Sequence, residues 1–196
     1  MQRLNSVNPD TAEGRTKELL DIVQQAFGGV PNVAKVLANS PAALESFLGF
    51  SQAIGNASIG EKLHNQVKLN TSESNSCDYC TSILCAVAPS AGLSADDILA
   101  GRTGESEDHS TDAALKFAEA VMENHGKVSD DQIQSVRDAG FDDGQIVEIV
   151  TSVVLGCFTN FLNNVADTEL DIPEAEPVVA CATETCSTEA ACGCPA

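Results

Sequence analysis

The sequence predicts an all-α fold, and three observations support this prediction. Apolar residues recur at three- and four-residue spacing along most of the chain, as they do on one face of a helix. Ser, Asp, Pro and Gly residues stand where such segments begin and end. The one segment rich in β-branched residues, 142–163, has no second strand-like segment with which it could pair. A chain of 196 residues can bury one sizeable core.

The first half of the chain predicts four helices. The first ends at Gly28 and Gly29, because glycine commonly terminates helices. Ser40 and Pro41 supply an N-cap and a first-turn proline for the third helix, which continues through Ile54. The fourth carries Leu63, Val67 and Leu69 and leads directly into a cysteine pair. The four predicted helices cover residues 11–27, 32–38, 41–54 and 60–70.

The second half predicts further helices with clearer start signals. One helix follows the cysteine pair through Ala88, and Ser94 to Asp97 has the cap-then-acid pattern of the next. We expect a polar loop at 101–110 and a helix at 111–124. Ser129 and Gln132 then form a capping box. Segment 142–163 is the longest apolar stretch and is apolar around most of its circumference, which is typical of a central helix or of an oligomer interface.

Composition excludes two classes of partner. The chain has 29 acidic and 10 basic residues, for a formal net charge of -19. Phosphate backbones and anionic membrane surfaces would repel such a protein, so we expect no nucleic-acid and no membrane partner. The N-terminus lacks a basic segment followed by an apolar run, and we find no stretch of about eighteen consecutive apolar residues. We therefore expect a soluble, cytoplasmic protein.

The eight cysteines are unevenly distributed, with four in the last sixteen residues. Without an export signal, reduced, reactive or metal-binding thiols are favoured over structural disulfides. The segment from Pro173 to Pro177 has linker composition, and no periodic apolar face follows it. We predict a helical domain at residues 1–173 and a cysteine-rich, disordered tail at residues 174–196. Cys192 and Cys194 in this tail could chelate a soft metal ion.

Cys77 and Cys80 form a C-x-x-C motif at the predicted start of a helix. A thiolate is the nucleophile in disulfide chemistry, and the N-terminus of a helix lowers its pKa. A second thiol three residues away is close enough to form a disulfide with it. The spacing does not decide which thiol attacks, and two packed thiols or half of a zinc site are alternative interpretations. Cys77 and Cys80 are the candidate catalytic residues.

The order of motifs along the chain resembles the carboxymuconolactone decarboxylase superfamily, in particular its AhpD-like, peroxidase-related branch. The resemblance implies an oligomeric all-α domain in which the C-x-x-C pair reduces a peroxide or exchanges disulfides, with Cys80 attacking and Cys77 resolving. It spans about Leu4 to Pro173. The motifs are Phe27-Gly-Gly-Val-Pro-Asn-Val, Ser40-Pro-Ala-Ala-Leu-Glu, Glu73-x-Asn-x-Cys77-Asp-Tyr-Cys80, Ala91-Gly-Leu-Ser, Val128-Ser-Asp, Ala139-Gly-Phe-x-Asp and Phe158-Thr-Asn-Phe-Leu-Asn-Asn-Val-Ala-Asp-Thr-Glu-Leu-Asp.

Two positions depart from the family pattern. The redox members have a Glu twelve residues before the first Cys and a His four after the second, which relay a proton; here these positions hold Asn65 and Leu84. Neither side chain acts as a base. His64 and Glu73 lie nearby, but we do not expect either to substitute. His64 points about 100° away from residue 65 on a helix, and a carboxylate near Cys77 would raise its pKa.

Three functions remain after these observations. The first is a thiol-dependent oxidoreductase of the peroxidase type, weakened by the missing relay. The second is a soft-metal-binding or sensing protein that uses Cys77, Cys80, Cys85 and the tail cysteines; three thiols within eight residues could share one broad helix face. The third is a structural relative without chemistry. For the first we expect a peroxide or disulfide substrate, a thiol reductant, no cofactor, and a homo-oligomer.

Overall fold

The computed structural model describes residues 1–178, and within this range the chain is helical, with no β-strand. The predicted all-α class is therefore confirmed. The tail cysteines from Cys181 to Cys194 lie outside the described residues. One turn of 3-10 helix, Ala88–Ala91, follows the fifth of nine described α-helices, which are α1 (Gly14–Phe27), α2 (Asn32–Leu37), α3 (Pro41–Ile54), α4 (Gly60–Ser74), α5 (Asp78–Val87), α6 (Ala95–Thr103), α7 (His109–Glu123), α8 (Asp130–Asp138) and α9 (Asp143–Ala166).

Side-chain caps explain where most of these helices begin. The Ser40 hydroxyl accepts a hydrogen bond from the backbone N–H of Ala43 at the start of α3. Ser94, Ser129 and Asp142 each form a complete capping box, in which the third helical residue bonds back to the N-cap backbone. These contacts satisfy backbone N–H groups that have no partner within the helix. The predicted N-caps at Ser40, Ser94 and Ser129 are therefore confirmed.

The polar loop predicted at 101–110 is wrong at both ends. Helix α6 continues to Thr103, and Gly104 ends it in the left-handed conformation with φ 73°. Helix α7 begins at His109, because the Asp108 carboxylate caps the backbone N–H of Thr111. Gly101 lies inside α6, and a Cβ atom there would come within 3.1 Å of the Gln66 backbone. This glycine allows α6 to pack closely on α4.

Helix α4 is the centre of the fold, since α5, α6, α7 and α9 all pack against it. One apolar cluster joins α4 to α7, α8 and α9, and includes Val67, Leu115 and Ile149. A second lies among α1, α2 and α3 and includes Cys77 and Cys80. The two thiols therefore lie where the second cluster meets α4 and α9.

Helix α9 buries one face and exposes the other. Ile149, Val153 and Leu155 are buried, whereas Val154 is 50% and Phe161 is 56% exposed. The expectation of an apolar helix buried in the core or between subunits thus holds for one face within the single chain. By length and composition alone α9 could also cross a membrane, but core helices of soluble proteins pass the same test.

The segment after α9 crosses the outer surface of α5. The Asp171 carboxylate accepts hydrogen bonds from the Tyr79 hydroxyl and from the Asn32 backbone N–H. The backbone N–H of Ala175 bonds the Ser82 hydroxyl, and Arg102 donates to the carbonyl of Glu176. The first five residues of the predicted tail, 174–178, therefore contact the helical domain. The boundary at residue 173 stays a prediction.

Candidate functional site in the first turn of helix α5

The two thiols of the C-x-x-C motif are held by a tight connection between α4 and α5. Helix α4 ends at Ser74, and Ser76 adopts the left-handed conformation with φ 49°. The Cys77 N–H then bonds back to the carbonyl of Ser72 at 2.9 Å. Cys77 is the N-cap of α5, and its Sγ accepts a hydrogen bond from the Cys80 N–H at 3.3 Å. The helix start predicted from the motif is confirmed.

Both thiols are reduced and buried: Cys77 is 1% and Cys80 is 4% exposed. Tyr79 lies between them and fixes the first turn of α5 to neighbouring segments. Its hydroxyl donates to the Asp171 carboxylate at 2.9 Å and accepts from the Val33 N–H at 3.2 Å. The sulfurs are therefore placed by helix geometry together with a buried tyrosine anchor.

Cys80 is surrounded by hydrogen-bond donors. Donation from the Cys77 thiol is the main effect that lowers its pKa to about 7, and burial opposes it. Three side chains of α9 act in the same direction as Cys77: Asn160, Asn163 and Thr159. The Asn163 amide Nδ2 lies 3.2 Å from Cys80 Sγ. Hydrogen bonds to the charged form stabilise a thiolate, so Cys80 has the environment of the attacking thiol.

Cys77 has the opposite character. Its hydrogen bond to Cys80 and its burial both raise its pKa above the ordinary value. A thiol that keeps its proton while its neighbour ionises is suited to be the resolving member of a pair. The Cys80 N–H and the Asn160 side chain, which donate to Cys77 Sγ, oppose this shift but do not reverse it.

The donors on α9 are themselves fixed by α4. Asn160 Nδ2 donates to Ser72 Oγ at 3.1 Å, and Asn160 Oδ1 accepts from Asn75 Nδ2 at 3.0 Å. Asn163 is 3% exposed, and its Oδ1 has no hydrogen-bond partner among residues 1–178. A buried acceptor without a partner is uncommon, because it loses its bonds to water.

The family's relay positions do not contribute a base. The Asn65 amide donates to the carbonyl of Glu61 on its own helix, and Leu84 packs in an apolar cluster with Leu69 and Leu93. Neither of the two nearby residues substitutes for the relay. His64 bonds Ser152 on α9 at 2.8 Å, and Glu73 forms an ion pair with Arg102.

The thiols that would extend the pair into a metal site are not assembled among the described residues. Cys85 packs in the apolar cluster with Leu84, whereas Cys77 and Cys80 belong to the cluster around α1 to α3. Burial raises the pKa of both Cys85 and Cys157. Within residues 1–178 no group of three or more His, Cys, Asp or Glu side chains could hold a metal ion.

Comparison with solved structures identifies the fold. An uncharacterized peroxidase-related protein from Ralstonia eutropha JMP134, described as an alkylhydroperoxidase AhpD core, superposes with a TM-score of 0.74 at 21% identity, over 87% of this chain and 92% of that one. A peroxidase-related protein from Silicibacter sp. TM1040 gives 0.71 at 19% identity, over 86% and 94%. The chain has the AhpD-like fold. The fold implied by the resemblance of the sequence motifs is therefore confirmed.

A third AhpD-like structure is a debrominase. Its cysteine-to-alanine variant in complex with 2,3,4-tribromopyrrole gives a TM-score of 0.74 at 18% identity, over 87% of this chain and 93% of that one. No protein-family model matches the sequence, and no curated protein matches it significantly. At these identities the likeness establishes the AhpD-like fold, and the chemistry must be argued from the site.

Sequence reasoning missed the residues of α9 that contact the sulfurs. Thr159, Asn160 and Asn163 belong to the last motif of the family resemblance, but the motif alone predicts no role for them. The signal was present, because these polar residues recur at three- and four-residue spacing and interrupt the most apolar helix of the chain. Buried amides in such a helix require partners, and two of those partners are Ser72 and the sulfur of Cys80.

Proposed function

We propose that this protein is a thiol-dependent oxidoreductase that reduces a small hydroperoxide or a disulfide with the Cys77–Cys80 pair. The observation that carries the proposal is the convergence of Asn160, Asn163, Thr159 and the Cys77 thiol on Cys80 Sγ, with the resulting pKa of about 7. The AhpD-like fold supports the same class of chemistry. Because Cys80 is only 4% exposed, a small oxidant is favoured over a bulky one.

The proposed reaction has two thiol steps. The Cys80 thiolate attacks one oxygen of ROOH, so that an S–O bond forms, the O–O bond breaks and RO⁻ leaves to become ROH. The sulfur is thereby oxidised to a sulfenic acid. Cys77 then attacks this sulfur, and a disulfide forms with loss of water. An external dithiol reduces the disulfide and closes the cycle.

The experiment uses the full chain with each thiol replaced in turn. Reduced wild-type protein is treated with one equivalent of hydrogen peroxide, and the disulfide is mapped by mass spectrometry. We expect a Cys77–Cys80 disulfide that a dithiol reverses, and slow peroxide turnover. Cys80→Ser abolishes turnover, whereas Cys77→Ser leaves a sulfenic acid that dimedone traps. Cys85→Ser is the matched control and retains turnover, because Cys85 packs in a separate cluster.

Two results would contradict the proposal. Full peroxide turnover by Cys80→Ser would remove the pair from the mechanism. A wild-type protein that forms no Cys77–Cys80 disulfide under any oxidant would favour a structural relative without chemistry. Soft-metal binding that depends on Cys181 to Cys194 would support the metal-binding alternative, for which residues 1–178 supply no assembled site.

The remaining parts of the proposal concern location and assembly. We infer a cytoplasmic protein, since a reducing compartment keeps Cys77 and Cys80 as thiols. We also infer a homo-oligomer, because α9 exposes an apolar face within a strongly acidic chain. The physiological partners are then a peroxide or disulfide substrate and a thiol reductant.

A further inference from the structure

A row of polar side chains lies between α4 and α9 and ends at the two thiols. His64 Nδ1 lies 2.8 Å from Ser152 Oγ, and Ser72 Oγ accepts from Asn160 at 3.1 Å. We call these residues, together with Lys68, the polar seam. His64 and Ser72 are buried, although polar side chains are uncommon in protein interiors. The row therefore lies between the apolar clusters and extends toward Cys80.

Lys68 occupies the middle of the polar seam. It follows His64 by one turn and precedes Ser72 by one turn, and residues four apart share a face of a helix. Since both neighbours reach α9, the Lys68 side chain enters the same interface. It is partly buried, and none of the ion pairs among residues 1–178 includes its ammonium group. By contrast, Lys17, Lys62 and Lys116 each pair with an aspartate.

The Lys68 ammonium group interacts electrostatically with both His64 and Cys80. Burial lowers the pKa of Lys68, and a thiolate at Cys80 opposes that effect. Lys68 in turn contributes to the lowered pKa of His64, after burial. The other titratable groups around Cys80 are Cys77 and Tyr79 on α5, and α9 has no charged residue from Ile149 to Ala166.

We propose that Lys68 is the cation of the dithiol site, which stabilises the Cys80 thiolate and supplies the proton that the leaving group requires. The proposal rests on the peroxide chemistry proposed above. Amides and hydroxyls donate hydrogen bonds to a thiolate, but they neither neutralise its charge nor release a proton. The Lys68 ammonium group can do both.

Each proton is accounted for in the two thiol steps when Lys68 takes part. When Cys80 cleaves the O–O bond, RO⁻ takes a proton from the Lys68 ammonium and leaves as ROH. The neutral amine then takes the proton of the Cys77 thiol. Cys77 attacks the sulfenic acid, the disulfide forms, and the hydroxide that leaves is protonated by solvent. Lys68 ends the cycle charged, as it began.

The test measures the Cys80 thiolate without using peroxide. The rate of alkylation of Cys80 by iodoacetamide is followed from acidic to alkaline pH in the full chain, with the modified cysteine located by mass spectrometry. A nearby positive charge lowers the pKa of a thiol by roughly 1–3 units. Lys68→Met should therefore raise the midpoint pH of Cys80 alkylation by about one unit or more. At neutral pH, peroxide oxidation of Cys80 should slow by about tenfold or more, consistent with loss of acid catalysis.

Two further variants control for structure. Lys68→Arg retains the charge and should keep the alkylation midpoint close to that of the wild type. Lys62→Met removes an exposed lysine of the same helix, paired with Asp97, and should leave both midpoint and rate unchanged. If Lys68→Met does not fold, Lys68→Gln is measured in its place.

The outcomes separate this inference from the proposed function. If Cys80 reduces peroxide but Lys68→Met changes neither its midpoint nor its rate, the role of Lys68 is overturned and the dithiol chemistry stands. If Lys68→Met raises the midpoint while wild-type protein reduces no peroxide, Lys68 is the cation of the site, and the peroxidase function and the proton-donor role fail.

Discussion

Cys80 illustrates how a buried thiolate is stabilised without a neighbouring base. Asn160, Asn163 and Thr159 are neutral donors, so they lower the pKa of Cys80 at every pH in the physiological range. A relay of Glu and His would titrate over that range, whereas an amide cannot. Activity should therefore follow the ionisation of Lys68 and of the Cys77–Cys80 pair. The pH profile of the reaction then reports these groups rather than a Glu–His relay.

His64 provides a prediction at the residue scale. Burial, with a contribution from Lys68, lowers the pKa of His64 to about 4, from 6.5. The unfolded chain therefore takes up a proton below about pH 6.5, while the folded protein does so only near pH 4. One pKa unit corresponds to about 1.4 kcal/mol, so up to ~3 kcal/mol of unfolding free energy should be lost as the pH falls from about 6.5 to about 4. Below about pH 4, His64 should cause no further loss.

The measurement is urea unfolding of wild type and His64→Gln between pH 7 and pH 4. The variant should lose less unfolding free energy than wild type as the pH falls through this window. His125→Gln is the control, because His125 is exposed and should follow the wild type. Identical pH dependence in all three proteins would show that His64 is not held neutral by burial.

The sequence revealed the dithiol at this scale but not its surroundings. Cys77 and Cys80 were identifiable because their spacing is local and lies at a helix start. Asn163 and Lys68 were not, since their roles arise from packing of α9 on α5 and on α4, whose residues are more than 80 positions away in the sequence. A lysine within a helical pattern is ordinarily assigned to the solvent face, and only the neighbouring contacts of His64 and Ser72 place Lys68 inside.

At the element scale, the parallel pair α4 and α9 positions the whole site. Gly156 of α9 lies directly against Thr71 of α4: a Cβ atom at Gly156 would be 2.8 Å from Thr71 Cγ2 and 3.0 Å from Thr71 Cβ. Thr71 cannot easily move, because it is fully buried and its hydroxyl bonds the carbonyl of Val67. This close approach lets Asn160, one turn further along α9, reach Ser72.

Gly156→Ala therefore tests the helix pairing. Alanine favours a helix by about 1 kcal/mol over glycine, but overpacking a core costs typically ~1–3 kcal/mol, so we expect net destabilisation in chemical unfolding. Gly49→Ala is the matched control, since Gly49 lies within α3 with open space around it and should gain stability. Thr71→Ser in the Gly156→Ala background removes the clashing methyl group and should restore part of the loss. Equal gains at both glycines would contradict the close approach.

Helix positions were predictable to the extent that their signals were local. The capping boxes at Ser94 and Ser129 depend on side chains within four residues, and both were found from sequence. The loop predicted at 101–110 begins at Gly101, but this glycine lies within α6. Gly101 allows close contact with Gln66 on another helix, and the neighbouring residues in the sequence do not predict this contact.

At the scale of the whole molecule, α9 exposes a heptad pattern. Val147, Val154 and Phe161 are spaced by seven residues, and so are Thr151, Phe158 and Val165. Helices that pack side by side carry their contact residues at two interleaved heptad positions on one face. Phe158 already stacks on Phe47 of α3, with ring centroids 6.4 Å apart. The remainder of the face is apolar and has no partner within residues 1–178.

A second copy of the chain is the occupant that the charges favour. Each copy carries a formal charge of -19, yet α9 has no charged residue between Ile149 and Ala166. Contact through residues 149–166 would bury apolar area on a helix segment that carries no acidic side chain. The remaining repulsion acts at long range and is screened by salt. Self-association should therefore strengthen as ionic strength rises, unlike association that depends on salt bridges.

Phe161→Gln tests this assembly, because Phe161 is 56% exposed and is the last residue of one heptad row. We expect wild-type protein to be oligomeric in sedimentation velocity and Phe161→Gln to shift toward monomer at the same concentration. Phe27→Gln is the matched control: Phe27 is 58% exposed at the end of α1, away from α9, and its loss should leave the oligomer intact. A monomeric wild type at high salt would exclude a second copy from this face. Equal dissociation of both variants would assign the interface to apolar surface in general rather than to the heptad rows of α9.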